Sequence, residues 1–169
     1  MYDIFFAIAF GCFVFHTTVH LFEYYKILPH LKGVHMGIGI SMFLGWFSYF
    51  YASFGDPFAV NIYPLNLIGI PLVVIGFYLF LASQKRVHKR MHKNEGGLIR
   101  DGVYKYFRHP MYLGEILLFW GAPILGGSLL TLHLSPIFVF QLFIWRYYEE
   151  KELSKEFPEY TDYKKRTWF

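Results

Sequence analysis

At 169 residues, with 55% hydrophobic, 22% aromatic and 17% charged residues, the chain is poorer in charge than a soluble domain, which carries roughly 25%. Its net charge of +4 and pI near 9.1 invite a nucleic-acid reading. The basic residues instead flank long apolar runs, where membrane sidedness and anionic headgroups account for them, and no nucleic-acid partner is expected. The single cysteine, Cys12, excludes an internal disulfide and a cysteine-held metal cluster.

In chain order, Tyr2 to Tyr25 is apolar except near its ends and at His16 and His20. No basic region precedes it and no small-residue cleavage site follows, so it is expected to be a mature span rather than a signal peptide. His16 and His20 share a helix face, as two metal ligands do, but no third ligand accompanies them and no metal site is expected. Val34 to Phe54 holds no Lys, Arg, Asp or Glu. Beginning just before it, Gly33, Gly37, Ser41 and Gly45 set a small-residue stripe that predicts close approach to another helix. Ile62 to Ser83 is also free of charge, and His88 and His92 follow in what reads as a basic loop. Tyr112 to Leu130 carries only Glu115, and Leu134 to Tyr148 only Arg146; joined by Leu-Thr-Leu-His, they predict a helical hairpin over 112–148. A hydrocarbon layer of about 30 Å takes roughly 20 helical residues, and the absence of period-2 alternation argues against a barrel. The expected fold is an all-α integral membrane protein of five transmembrane helices. It forms one domain over 1–169, with three spans in 1–83 and a second half, 84–169. That half adds a cytoplasmic connecting segment and a C-terminal amphipathic helix to the hairpin.

Charge sets the expected topology. Two basic residues lie between the first two spans, eight between the third span and the hairpin, and six from Arg146 onward, accounting for all 16 Lys and Arg. With five spans these regions share one side, which the positive-inside rule makes cytoplasmic, with the N-terminus outside.

Chemistry concentrates in the second half. From Gly96 to Gly114 the chain is turn-rich, and Pro110 suits the first turn of the fourth helix, whose free amides would favour an anionic group. Arg146 lies three and four residues before Glu149 and Glu150, on a shared helix face. The run Gly-Val-Tyr-x-Tyr-Phe-Arg-His-Pro-x-Tyr-x-Gly from Gly102 precedes the hairpin. After it comes Glu-Glu-x-x-Leu-x-x-x-Phe-x-Glu-Tyr-x-x-Tyr from Glu149. Together, over about residues 96 to 166, they resemble the isoprenylcysteine carboxyl methyltransferase family, whose pattern the phospholipid methyltransferases share. Pro158 stands where the family usually has glycine, and Thr167-Trp168-Phe169 lacks its proline-ended tail.

The resemblance implies an S-adenosylmethionine-dependent methyltransferase with its cofactor at the cytoplasmic end of the last helices. It implies that Leu98, Ile99, Tyr104, His109, Pro110, Met111 and Tyr112 line the cofactor site, with Glu149 and Glu150 beside them, and that Arg146 faces an acceptor carboxylate. The expected acceptor is an isoprenylcysteine-like or other lipophilic molecule, methylated on a carboxyl. A phospholipid amine or a thiol is the alternative, and a non-catalytic scaffold or reductase relative the reading from another class. Methyl transfer from a sulfonium needs no metal. Orientation alone contributes about 7–11 kcal/mol in favourable cases, and a carboxylate or thiolate needs no general base, so none is assigned.

Overall fold

The computed structural model describes residues 2–27, 32–93 and 96–169. Among them are six helices: α1 (Tyr2–Tyr24), α2 (Lys32–Phe54), α3 (Gly69–Lys93), α4 (Pro110–Gly126), α5 (Leu129–Glu156) and α6 (Tyr160–Arg166). No strand occurs among the described residues, only a single bridge between Phe107 and Trp168. Three segments, Asp3–Tyr24, Leu65–Arg90 and Leu129–Glu156, are long and apolar enough to cross a membrane. Large apolar side chains such as Phe43, Val74, Leu81 and Phe140 point outward from different helices. Such an exterior suits lipid, since a soluble monomer rarely exposes apolar patches this extensive.

The interior is aromatic. Phe13, Tyr49, Phe119 and Phe138 come from α1, α2, α4 and α5, and their rings meet at centroid distances such as 4.9 Å (Tyr49–Phe119) and 5.1 Å (Phe13–Phe138). The Tyr49 hydroxyl is fully buried, donating to the Phe119 carbonyl at 2.6 Å and lying 2.7 Å from Ser135 Oγ. Each such ring pair adds about 0.5–1.5 kcal/mol beyond its buried area.

Three expectations need correction. The hairpin turn falls at Gly127–Ser128, because Gly127 adopts a φ of +73° that closes α4 and Ser128 Oγ accepts from Thr131 N at 3.3 Å to start α5. Leu130-Thr-Leu-His133 is therefore helical, and α5 runs on past Tyr148 to Glu156. A 3-10 turn, Leu65–Ile68, precedes α3, which continues through its basic segment to Lys93, so His88 and His92 lie on a helix rather than in a loop. Among the glycines of the small-residue stripe on α2, Gly45 makes the expected close approach, to α1, where a Cβ would lie 3.1 Å from Cys12 Cβ, while Gly33 and Gly37 have nothing within 4 Å. Tighter glycine contacts lie on α4, against Ser53 of α2 at Gly126 and against α3 at Gly114. A Cβ on Gly114 would stand 2.7 Å from the Gly76 carbonyl and 2.9 Å from Phe80 N.

Candidate functional site

Pro110, at the first position of α4, places His109 at the helix N-cap and Tyr112 one turn inside. The adjoining amides are not free: Arg108 N and His109 N donate to the Phe169 carbonyl at 3.2 and 3.1 Å. Residues 167–169 run beside 106–109, with Trp168 N on the Tyr106 carbonyl at 2.8 Å and Arg108 Nη1 on the Thr167 carbonyl at 3.0 Å. The anion-binding helix end expected from the sequence is thus, at these two amides, closed by the chain itself.

Glu150 is the centre of a charged knot. Its Oε1 accepts from Arg108 Nε at 2.9 Å and Arg146 Nε at 3.1 Å and lies 3.3 Å from His109 Nε2, while Oε2 accepts from Lys164 Nζ at 2.5 Å. Burial opposes ionisation, but these four partners hold the carboxyl far below the usual carboxylate range. For His109, burial alone would lower the pKa; hydrogen bonds with Glu149 and Glu150 outweigh it and leave the imidazole above its ordinary value. Arg146 also stacks against the Phe169 ring, 4.5 Å from its centroid.

Glu149 has different surroundings. Its side chain is 44% exposed, with Oε2 3.4 Å from His109 Nδ1. Tyr112 stacks on the His109 ring with centroids 5.5 Å apart. Burial pushes the Tyr104 hydroxyl up to about 12, and the nearby Glu149 charge adds to the shift.

Glu149 opens onto a cavity of about 800 Å³ enclosed by α1 to α5. Its inner walls are aromatic (Trp46, Phe50, Phe77, Trp145), and Glu23, Gln84, Glu149 and Glu152 stand at the bundle end where α4 begins. Glu115, with 4% exposure, lines it too, and its buried Oε2 has no hydrogen-bond partner. No Lys or Arg is among the described wall residues.

Of the residues singled out from sequence, Met111, Tyr112 and Glu149 line this cavity. Tyr104 and His109 lie next to Glu149, and Pro110 is buried at the head of α4. Leu98 and Ile99 are half-buried in the connecting segment, away from the walls; Glu150 and Arg146 are bound to each other in the charged knot. Sequence reasoning missed Glu115, His16, His20 and Glu23 as wall residues. The available signal was their presence as ionisable groups in or beside apolar spans.

Three comparisons bear on this arrangement. Over 113 residues, 59% of this chain and 45% of the relative, the sequence is 32% identical to the protein-S-isoprenylcysteine O-methyltransferase of Saccharomyces cerevisiae. Over 66 residues, 38% of this chain and 22% of the relative, it is 41% identical to methanethiol S-methyltransferase 1 of Bradyrhizobium diazoefficiens. The chain thus matches less than half the length of either relative. No solved structure matches it. Residues 34–167 match the family described as "Protein of unknown function (DUF1295)", and with most of its length so covered the chain belongs to that family.

Proposed function

We propose that this chain is an S-adenosylmethionine-dependent methyltransferase that works at the membrane on a lipophilic acceptor. The observation that carries the reading is the cavity: Tyr112 and Glu149, from the two halves of the recognised motif, meet on one aromatic, acidic wall. Its volume of about 800 Å³ lies within the roughly 300–1,000 Å³ of small-molecule sites. Both relatives are named as methyltransferases, which supports the same chemistry here.

The residues fit the donor. A sulfonium compound with an ammonium group is cationic, and the cavity supplies Glu149, Glu152 and Glu23 together with aromatic faces that attract cations. When bound, that donor supplies an activated methyl group. Glu149 pairs with its positive charge, the His109–Tyr112 stack fixes the wall, and the apolar interior excludes water and holds the acceptor chain. Five spans, with the N-terminus outside and the charged knot cytoplasmic, complete the reading.

For the acceptor, the carboxyl expectation rests on Arg146, which is bound to Glu150 and the Phe169 ring. Acidic walls without a described Lys or Arg favour a second reading, an acceptor that is not an anion.

Calorimetric titration of the detergent-purified protein with S-adenosylhomocysteine, no metal added, tests the donor site. Saturable binding is expected. No heat up to millimolar ligand, in protein shown to be folded, refutes the methyltransferase reading.

A further inference from the structure

We propose that the groove between α1 and α5 seats one anionic phospholipid, with an acyl chain along the apolar groove and the phosphate at Lys151 and Lys155. The inference is independent of the methyltransferase reading. It concerns the outer face of the bundle and needs only that α5 lies in a bilayer.

The groove, of about 410 Å³, is lined by Leu21 of α1 and by Phe140, Phe143, Ile144, Tyr147 and Tyr148 of α5. Phe140 is 65% exposed and Tyr147 56%, so it opens outward. Phe140, Ile144, Tyr147, Lys151 and Lys155 recur at helical spacing and share one face of α5. Trp145, Glu149 and Glu152 stand on a neighbouring face and line the large cavity instead. Leu21 and Tyr148 belong to both walls, so a lipid in the groove would brace the cavity from outside.

Along this face α5 passes from apolar to aromatic to cationic. From Phe140 to Lys151 the helix rises about 16 Å at 1.5 Å per residue, close to half of a hydrocarbon layer of about 30 Å. A chain lying in the groove therefore spans one leaflet and brings its headgroup to the lysines. Tyrosines tie the two helices together at that level. Tyr24 packs on Tyr148 with centroids 4.5 Å apart, and the Tyr25 and Tyr148 hydroxyls are 3.0 Å apart.

Charge selects the headgroup. Lys151 Nζ lies 4.6 Å from the Tyr147 centroid and Lys155 Nζ 5.8 Å from that of Tyr24. The ammoniums thus rest on rings from both helices, and among the described residues no carboxylate pairs with either. Each ammonium has three donors, so donors remain for phosphate oxygens. Two cations at one headgroup favour a lipid of net negative charge over a zwitterionic one, whose own cation they repel.

The test uses the full chain, stripped of lipid in an uncharged detergent. Native mass spectrometry measures its affinity for phosphatidylglycerol and for phosphatidylcholine with the same acyl chains. One tightly held phosphatidylglycerol per chain is expected, and it should raise the melting temperature. Lys151→Ala with Lys155→Ala should weaken phosphatidylglycerol about thirtyfold, the equivalent of two lysines near a charged surface, and phosphatidylcholine hardly at all. Lys85→Ala with Lys89→Ala, at exposed positions on α3, should leave both affinities unchanged. Ile144→Trp fills the groove, keeps both lysines and should weaken the two lipids alike. Equal wild-type affinity for the two lipids overturns the proposal, as does an equal loss in the α3 pair. Wild-type affinity in Ile144→Trp overturns the acyl seat. Glycerol phosphate competing at lipid concentrations would mean a free-phosphate site, and a dimer mass lost in Ile144→Trp would mean that a second copy occupies the groove. Either result overturns the lipid assignment.

Discussion

Glu149 and Glu150 are neighbours in sequence with opposite surroundings, and the difference sets what each substitution should do. Glu150, 14% exposed, pairs with Arg108, Arg146 and Lys164 and engages His109. Glu150→Gln removes their shared partner, and because the knot is only half-buried the expected loss is below the roughly 3 kcal/mol of a fully buried pair. Melting in detergent would measure it, and an unchanged transition would show the knot to be decorative. The same groups set a pH window. Glu150 has a lowered folded pKa, so its contribution is complete above the unfolded value of about 4.3 and is lost as pH falls below that. His109 has a raised folded pKa, so its contribution is complete below about 6.5 and is lost as pH rises through the folded value. Stability should therefore be greatest between those limits, with Glu150→Gln flattening the acid limb and His109→Gln the alkaline one. Glu149, 44% exposed, shares with Glu150 in stabilising His109 and opens onto the cavity. Glu149→Gln should lower melting less than Glu150→Gln and weaken donor-product binding by about tenfold to somewhat over a hundredfold, the equivalent of one charge-assisted hydrogen bond of roughly 1.5–3 kcal/mol. Calorimetry that finds wild-type affinity would remove Glu149 from the donor site.

At the scale of elements, α3 packs tightly against α4, where Gly76 and Gly114 bring backbone to backbone. Gly114→Ala forces its Cβ against the Gly76 carbonyl, and overpacking of this kind costs about 1–3 kcal/mol. Gly37→Ala, which meets nothing within 4 Å, should be neutral or gain up to about 1 kcal/mol from helix propensity. Melting the two variants side by side checks the assignment; equal effects would mean that α2 carries the tight interface after all. The contrast also shows what the sequence can convey. Small-residue spacing marks a face that permits close approach, but the choice of partner depends on tertiary packing. Apolar runs located the helices of the bundle because their residues contrast with the charged connections. They misplaced the hairpin turn because Gly127 and Ser128 act through backbone conformation and capping, which average hydropathy does not register. The candidate site was legible where the motif lies, in that Tyr112 and Glu149 share the cavity wall and His109 adjoins Glu149. It was not legible at His16 or Glu115, whose shared cavity exists only once α1 and α4 pack into one bundle.

For the whole molecule, the charge distribution separates the two ends that the proposed orientation places on opposite sides of the membrane. The loop after α2 is fastened to the hairpin turn by Val60 N on the Gly127 carbonyl at 2.8 Å and Ser128 Oγ on Asp56 at 2.7 Å. That end carries acidic Asp56 and, across residues 55–61 and 127–128, no Lys or Arg. Arg108, Arg146 and Lys164 gather around Glu150 at the other end, where α4 begins. Helix α3, 25 residues long, extends about 37 Å at 1.5 Å per residue, enough to cross a hydrocarbon layer of about 30 Å. Placing the basic end in the cytoplasm follows the positive-inside rule and puts the cavity opening where a water-soluble donor arrives. In a Cys12→Ser background, Ala59→Cys, Lys89→Cys and Lys165→Cys place single thiols at exposed positions on the two ends. An impermeant maleimide applied outside intact cells should label only the first, and the other two should react only after the membrane is opened. Labelling of Ala59→Cys and Lys89→Cys from the same side would mean that α3 does not span, and the five-span arrangement with a cytoplasmic site would fall. Labelling of all three in the reverse sense would keep the spans and move the site outside, away from any supply of an intracellular methyl donor.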